Sequence, residues 1–287
     1  MDADAELWKQ LGSDASKSLY DSSEEVIIDL INRFAIWPSV DTYVKAPWLA
    51  RFALRRQRHR TDERAPGEKR DLWGMPDELG YFADDNSLLK STYKNVAIAG
   101  KDNPYGKSKI TTGLVCCHIW PGTTGNPLLF SFLPNLVWLP KSLSRFTDVF
   151  QDKPIHKAHF TLQELSYRRY ANLKVNTGIE DSKNAWNHLN RPSVDFAQEV
   201  MFNELQSEPS LSNRILIRHT RLLSFLDAAL SDPPTVHRRF SKRYHLGFGS
   251  GIDSTIPPIN LMVPRQQLEN LRIIIQKSCP RVESQER

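Results

Sequence analysis

The stretch Leu114–Asp148, LVCCHIWPGTTGNPLLFSFLPNLVWLPKSLSRFTD, decides the reading of this chain. Lys109–Trp120 alternates and then thickens into apolar residues, the pattern of a strand with one or both faces covered, and the run reaches a histidine at His118. Gly122–Pro127 holds a Gly-Asn pair and a proline, which predicts a reversal. Leu128–Leu139 is apolar again, but Pro134 interrupts it just before Asn135, so a second strand here must be short or at an edge. Pro140 suits the first residue of a helix. In that helix Leu143, Phe146 and Phe150 form an apolar stripe, while Lys141, Ser144 and Asp148 fall on another face, Ser144 and Asp148 one turn apart.

Outward from this stretch the chain reads as largely helical. Ser22 and Glu25 have capping-box spacing ahead of VIIDLINRF. Ala46–His59 places Trp48, Leu49, Phe52 and Ala53 on one side and its arginines on the rest, which predicts a second helix. Thr61–Gly74 reads as an exposed loop, and Asp84-Asp85-Asn86-Ser87 as a helix start with Asn86 or Ser87 as cap. Further helices are expected over Thr161–Lys174, Asp195–Leu205, Asn213–Leu230 and Arg265–Lys277, the third with an apolar face of Ile215, Leu216, Leu222, Leu223, Leu226 and Ala229. Gly247–Gly251 lacks the lysine and the strand-to-helix setting of a phosphate loop and reads as a plain loop. The expected organisation is a helical N-terminal region (1–95), a small core (96–155) and a helical C-terminal region (156–287) with a basic segment.

Composition narrows the classes. Of 287 residues, 40% are hydrophobic and 25% charged, enough for a packed core. No apolar run approaches the roughly 18 residues of a membrane span, and the acidic, polar start MDADAELWKQ is unlike a signal peptide. The three cysteines, two of them adjacent at Cys116 and Cys117, suit a reducing cytoplasmic setting, and no Cys-x-x-Cys pair supports a structural zinc. Neither a Gly-x-Ser-x-Gly elbow nor a His-Glu-x-x-His motif occurs. The net charge of +5 is concentrated: Arg214–His245 holds seven Lys or Arg against Asp227 and Asp232. Within it Arg238, Arg239, Lys242 and Arg243 interleave with Phe240 and Tyr244, so cations could meet phosphates while Tyr244 stacks on bases or sugars. A solvated face with buried aromatics is the competing reading. The Arg51–Arg60 run reads as a solvated helix face.

Phosphodiester hydrolysis needs a base for the water and stabilisation of charge on the phosphorus and leaving oxygen. A neutral histidine suits the first task once its second ring nitrogen is held. Across about residues 109–151 the strand ending at His118, Asn135 after the second strand, and the helix behind them resemble the HNH endonuclease family of the ββα-metal superfold. The resemblance implies an α+β fold with a small ββα-metal core embedded in a largely helical protein. It implies His118 as general base and Asn135 as the residue that braces the loop and holds that histidine. The position before the base, often a metal ligand in the family, is Cys117, and the third family position falls at Ser144. Asp148, one turn further on the same face, is then the expected ligand of a divalent cation, Mg²⁺ or Mn²⁺. Plainer readings stand beside these: a structural histidine at His118, a turn residue at Asn135, a solvated Asp148 and a small buried Cys117.

The expected function is therefore a metal-dependent DNA endonuclease, of a restriction or defence type by family analogy alone. The alternative is a non-catalytic DNA- or RNA-binding protein on a decayed scaffold of the same kind. A structural or interaction protein with no nucleic-acid role is a third alternative. DNA is the expected partner, a membrane is not, and a homodimer is left open.

Overall fold

The computed structural model describes residues 2–11, 24–51, 53–55, 81–83, 89, 92–100, 103–106, 109, 113–147, 157–191, 200, 202–206, 209–232 and 265–278. Among them the strands are β1 (Ile36–Pro38), β2 (Ala53–Arg55), β3 (Tyr81–Ala83), β4 (Ile98–Ala99), β5 (Leu114–His118), β6 (Leu136–Pro140) and β7 (Asn203–Leu205). The α-helices are α1 (Ala3–Leu11), α2 (Glu24–Phe34), α3 (Val40–Lys45), α4 (Lys141–Ser144), α5 (Lys157–Tyr170), α6 (Ile179–Asn187), α7 (Pro209–Leu230) and α8 (Arg265–Ser278). The fold is mixed α and β. The chain divides into two compact units, one of Met1–Pro47, Tyr93–Pro121 and Phe132–Leu211, the other of Trp48–Thr92, Gly122–Ser131 and Ser212–Arg287.

The first unit is organised by a five-stranded sheet in the order β4-β7-β1-β6-β5. β1 runs parallel to β7 and antiparallel to β6, and β5 pairs antiparallel with β6. Every residue of β1 and of β6 is buried, as the uninterrupted apolar runs IWP and LVWLP require. β5, at the sheet edge, alternates more, with Val115 and His118 only half-buried. Helix α2 leads into β1. Its Ile27, Leu30, Ile31 and Phe34 recur at helical spacing on the buried face, and its acids Glu24 and Glu25 stand at the N-terminus where the backbone dipole favours them. α2 packs against α5, and α4 against β5 and β6. Edge-to-face aromatic pairs fill the interior: Tyr43 with Tyr170 at 5.2 Å and Tyr93 with Trp138 at 4.6 Å between centroids.

The second unit contains the parallel pair β2–β3 and the helices α7 and α8. α7 buries Ile215, Leu222, Leu226 and Ala229, and α8 buries Leu268, Leu271 and Ile275. Arg272 Nε reaches Asp227 Oδ1 at 2.5 Å, and Arg265 donates to the Leu230 carbonyl at 3.0 Å, so the two helices are tied along their length and at the end of α7. Among the described residues no helix is long and apolar enough to cross a membrane.

Several elements differ from the sequence reading. Ala46–His59 is not one helix: Ala53–Arg55 is a strand. The preceding segment is captured by Ser131, whose Oγ donates to the Ala50 carbonyl at 2.7 Å and accepts from Ala50 N at 3.1 Å, while its carbonyl accepts from Leu49 N at 3.2 Å. These long-range bonds outcompete the local helical ladder. Asn203–Leu205 ends no helix; it is β7, clasped to α2 and the start of β1 by Asn203 Nδ2, which donates to the Arg33 carbonyl at 2.7 Å. The helix expected from Thr161 begins one turn earlier, at Lys157, and ends at Tyr170. Pro140 closes β6 and acts as N-cap, one position before the helix it was expected to start. The proposed Ser22 cap, the Asp84–Ser87 helix start and the Gly247–Gly251 loop lie outside the described residues.

Candidate functional site

The site grows from the last rung of the β5–β6 hairpin. The register runs from Leu114 opposite Pro140 to His118 opposite Leu136, so His118 is the residue at which β5 stops. Pro134 ends any strand upstream, because it has no N–H to give. Leu133–Asn135 instead forms a 3-10 turn, closed by Asn135 N to the Phe132 carbonyl at 2.9 Å. Asn135 is fully buried. Its carbonyl accepts from Ile119 N at 2.9 Å, and its side-chain Oδ1 accepts from Trp120 N at 3.0 Å. One residue thus satisfies the two amides immediately after His118, which burial would otherwise leave at a cost of about 1–3 kcal/mol each.

A second element holds the same peptide. His159, in the first turn of α5 and 1% exposed, bonds through Nδ1 to the Ile119 carbonyl at 2.9 Å. The carbonyl can only accept, so Nδ1 carries the hydrogen. Two turns along the same helix, the Ser166 hydroxyl donates to the Pro134 carbonyl. Leu162, between them on that face, is fully buried. Trp120 is anchored in turn: its Nε1 donates to the Asn190 carbonyl at 3.0 Å, and its ring meets Trp186 edge-on at 6.3 Å. The chain leaving His118 is therefore fixed by side chains from a 3-10 turn and from α5, while His118 itself remains half-buried at the sheet edge.

Cys116, Cys117 and Ser144 bear on what the hairpin can hold. Cys116 and Cys117 are buried, and Cys117 Sγ lies 3.6 Å from the Val115 carbonyl. Burial pushes the Cys116 thiol well above its ordinary pKa, with Cys117 adding to the shift, so it is a neutral thiol. On α4, the Ser144 hydroxyl donates to the Lys141 carbonyl at 2.8 Å. Among the described residues no group of three or more His, Cys, Asp or Glu could hold a metal ion. These residues alone thus do not make up a divalent-cation ligand set.

Of the residues singled out in the sequence, His118 and Asn135 stand together at one end of the hairpin, and Leu143 and Phe146 of the expected stripe are buried. Asp148 and Phe150 lie outside the described residues, as do Arg238, Arg239, Lys242, Arg243 and Tyr244. The sequence reading missed His159, because it placed the helix start after it. The available signal was its helical spacing with Leu162 and Ser166. No protein-family model, no curated protein and no solved structure matches this chain.

Proposed function

We propose that this protein is a DNA endonuclease in which His118 is the general base. The observation that carries the proposal is the braced histidine: it ends a strand, and the two amides that follow it are both bound by Asn135. General-base work needs a positioned imidazole at a partly open place, and the held backbone after the half-buried His118 supports that reading. The water gives its proton to neutral His118, and its oxygen attacks phosphorus. The bond to the leaving oxygen breaks, and that oxygen takes a proton from solvent. A divalent cation, Mg²⁺ or Mn²⁺, supplies charge stabilisation when bound, with Asp148 as its proposed ligand. Arg238, Arg239, Lys242 and Arg243 hold backbone phosphates, and Tyr244 stacks on a base or sugar. A cytoplasmic, restriction or defence setting belongs to the same proposal.

The test is cleavage of mixed supercoiled, linear and single-stranded DNA by the purified protein in Mg²⁺, Mn²⁺ or Ni²⁺, against chelator controls. Asp148→Asn is expected to raise the cation concentration needed for half-maximal rate, since a weaker ligand remains. Replacing the four basic residues by alanine is expected to flatten the salt dependence of DNA binding by about 3 to 4 in log–log slope. Binding without cleavage across this substrate set would instead support a non-catalytic nucleic-acid-binding scaffold. The internally bonded Ser144 and Cys117, standing where the family places ligands, favour that second reading.

A further inference from the structure

We propose that His159 is a positioning residue for His118. The inference rests on the nuclease reading for its consequence, but not for its geometry. The peptide group joining Ile119 to Trp120 is gripped from two sides. Its carbonyl accepts from His159 Nδ1 at 2.9 Å, and its N–H donates to Asn135 Oδ1 at 3.0 Å. The preceding amide, Ile119 N, is taken by the Asn135 carbonyl at 2.9 Å. Both amides that follow His118, and the Ile119 carbonyl, are thereby bound, and the grip on the carbonyl comes from a residue 40 positions away in sequence.

A purely structural filler at this place would be apolar. His159 is 1% exposed, and its other ring nitrogen, Nε2, is buried with no hydrogen-bond partner among the described residues. Burying an unsatisfied nitrogen costs stability that leucine or phenylalanine would not. What imidazole offers in return is one directed donor, Nδ1–H, on a ring that cannot flex. Ser166, two turns on, repeats the device against the Pro134 carbonyl, so one face of α5 locks both the turn before Asn135 and the peptide after His118. Fixing this peptide fixes where β5 ends, and so the origin of the His118 side chain. Misplacing a reacting group by about 1 Å can cost about 10²-fold in rate.

The test compares His159→Asn with His159→Gln. The asparagine amide nitrogen falls near the place of Nδ1 and keeps the donor; the glutamine amide lies one bond further and does not. Three readouts decide. In the full-length wild-type protein, ring ¹⁵N shifts of His159 must show a proton on Nδ1; the Nε2–H tautomer overturns the proposal without any variant. Hydrogen exchange at the Trp120 and Ile119 amides is expected to speed up about tenfold in His159→Gln and to stay near wild type in His159→Asn. Unchanged exchange in the glutamine variant overturns it. With DNA as substrate, His159→Gln is expected to lower kcat about 10²-fold at nearly constant KM, and His159→Asn to restore most of it. Equal loss in both variants, or a kcat per folded molecule unchanged in His159→Gln, overturns the positioning role. If the wild-type protein cuts no DNA, the nuclease reading fails, and the first two readouts still decide whether the grip exists.

Discussion

The two ends of the β5–β6 hairpin are built from different materials. At the Leu114–Pro140 end the chain is held by backbone geometry and an acidic residue from α1. Lys141 N donates to the Gly113 carbonyl at 2.8 Å, and Ser142 N to Asp4 Oδ1 at 2.9 Å. Asp4 thus acts from a distance as the cap that Pro140, with no side-chain bond, cannot provide for α4. Gly113 sits at φ +76°, and a Cβ there would come within 2.1 Å of Asp2 Oδ1 and 2.7 Å of Ala3 N. At the His118–Leu136 end the holding groups are buried polar side chains, Asn135, His159 and Ser166, all 1% exposed or less. Polar side chains are costly to bury unless bonded, and each of these three bonds a backbone group of one loop. The Gly113 end is held by backbone and one carboxylate, the His118 end by buried polar side chains.

That contrast can be broken by substitution. Asn135→Leu should have the largest effect on stability, about 3 kcal/mol by chemical denaturation, because it strands a buried amide at Trp120 and forces a larger side chain into a closed turn. It should also lower any cleavage rate of the protein that remains folded. Gly113→Ala should cost about 2 kcal/mol through left-handed strain and the clash with α1, with the rate per folded molecule unchanged. Were Gly113→Ala to impair catalysis as Asn135→Leu does, the division between the two ends would be lost. Asp4→Ala should cost about 1 kcal/mol and likewise spare the rate.

A smaller effect should arise in the second unit. His219 is buried with its Nδ1 on the Ile215 carbonyl at 3.0 Å, and desolvation lowers its pKa below 6.5, the nearby Arg51 charge adding to the shift. The unfolded chain therefore binds more protons than the folded one just below pH 6.5, so stability falls as pH drops through that window. His219→Gln should flatten this part of the stability–pH curve, as thermal melts between pH 7 and 5 would show (about pH 5 to 8 spans the imidazole transition). Finally, native Cys116 and Cys117 should resist thiol reagents until the protein unfolds, since both are buried and the Cys116 thiol is held neutral.

What the sequence revealed follows from how local each signal is. Strand, reversal, strand and helix around His118 are visible because Pro134, Pro140 and the Gly-Asn pair punctuate them. α7 and α8 are visible because their apolar faces repeat over several turns. β1, β2 and β7 are three residues each, too short for periodicity to register. Ala53–Arg55 was hidden by a helical pattern that the Ser131 bonds override, and Asn203–Leu205 by the clasp of Asn203 onto α2. The same holds at the site. His118 and Asn135 are legible because their spacing resembles a known arrangement. His159 is not, because its role depends on a bond to Ile119 that only the folded chain forms.

His118 is proposed to act in the chemical step, on backbone that Asn135 and His159 hold. The most direct measurement is the single-turnover cleavage rate of His118→Ala at saturating DNA, with the DNA Kd and the unfolding midpoint measured on the same preparation. A rate lower by about 10² to 10⁴-fold is expected, with Kd and midpoint near wild type. A wild-type rate, or a loss of cleavage that merely follows lost binding or lost folding, would contradict it.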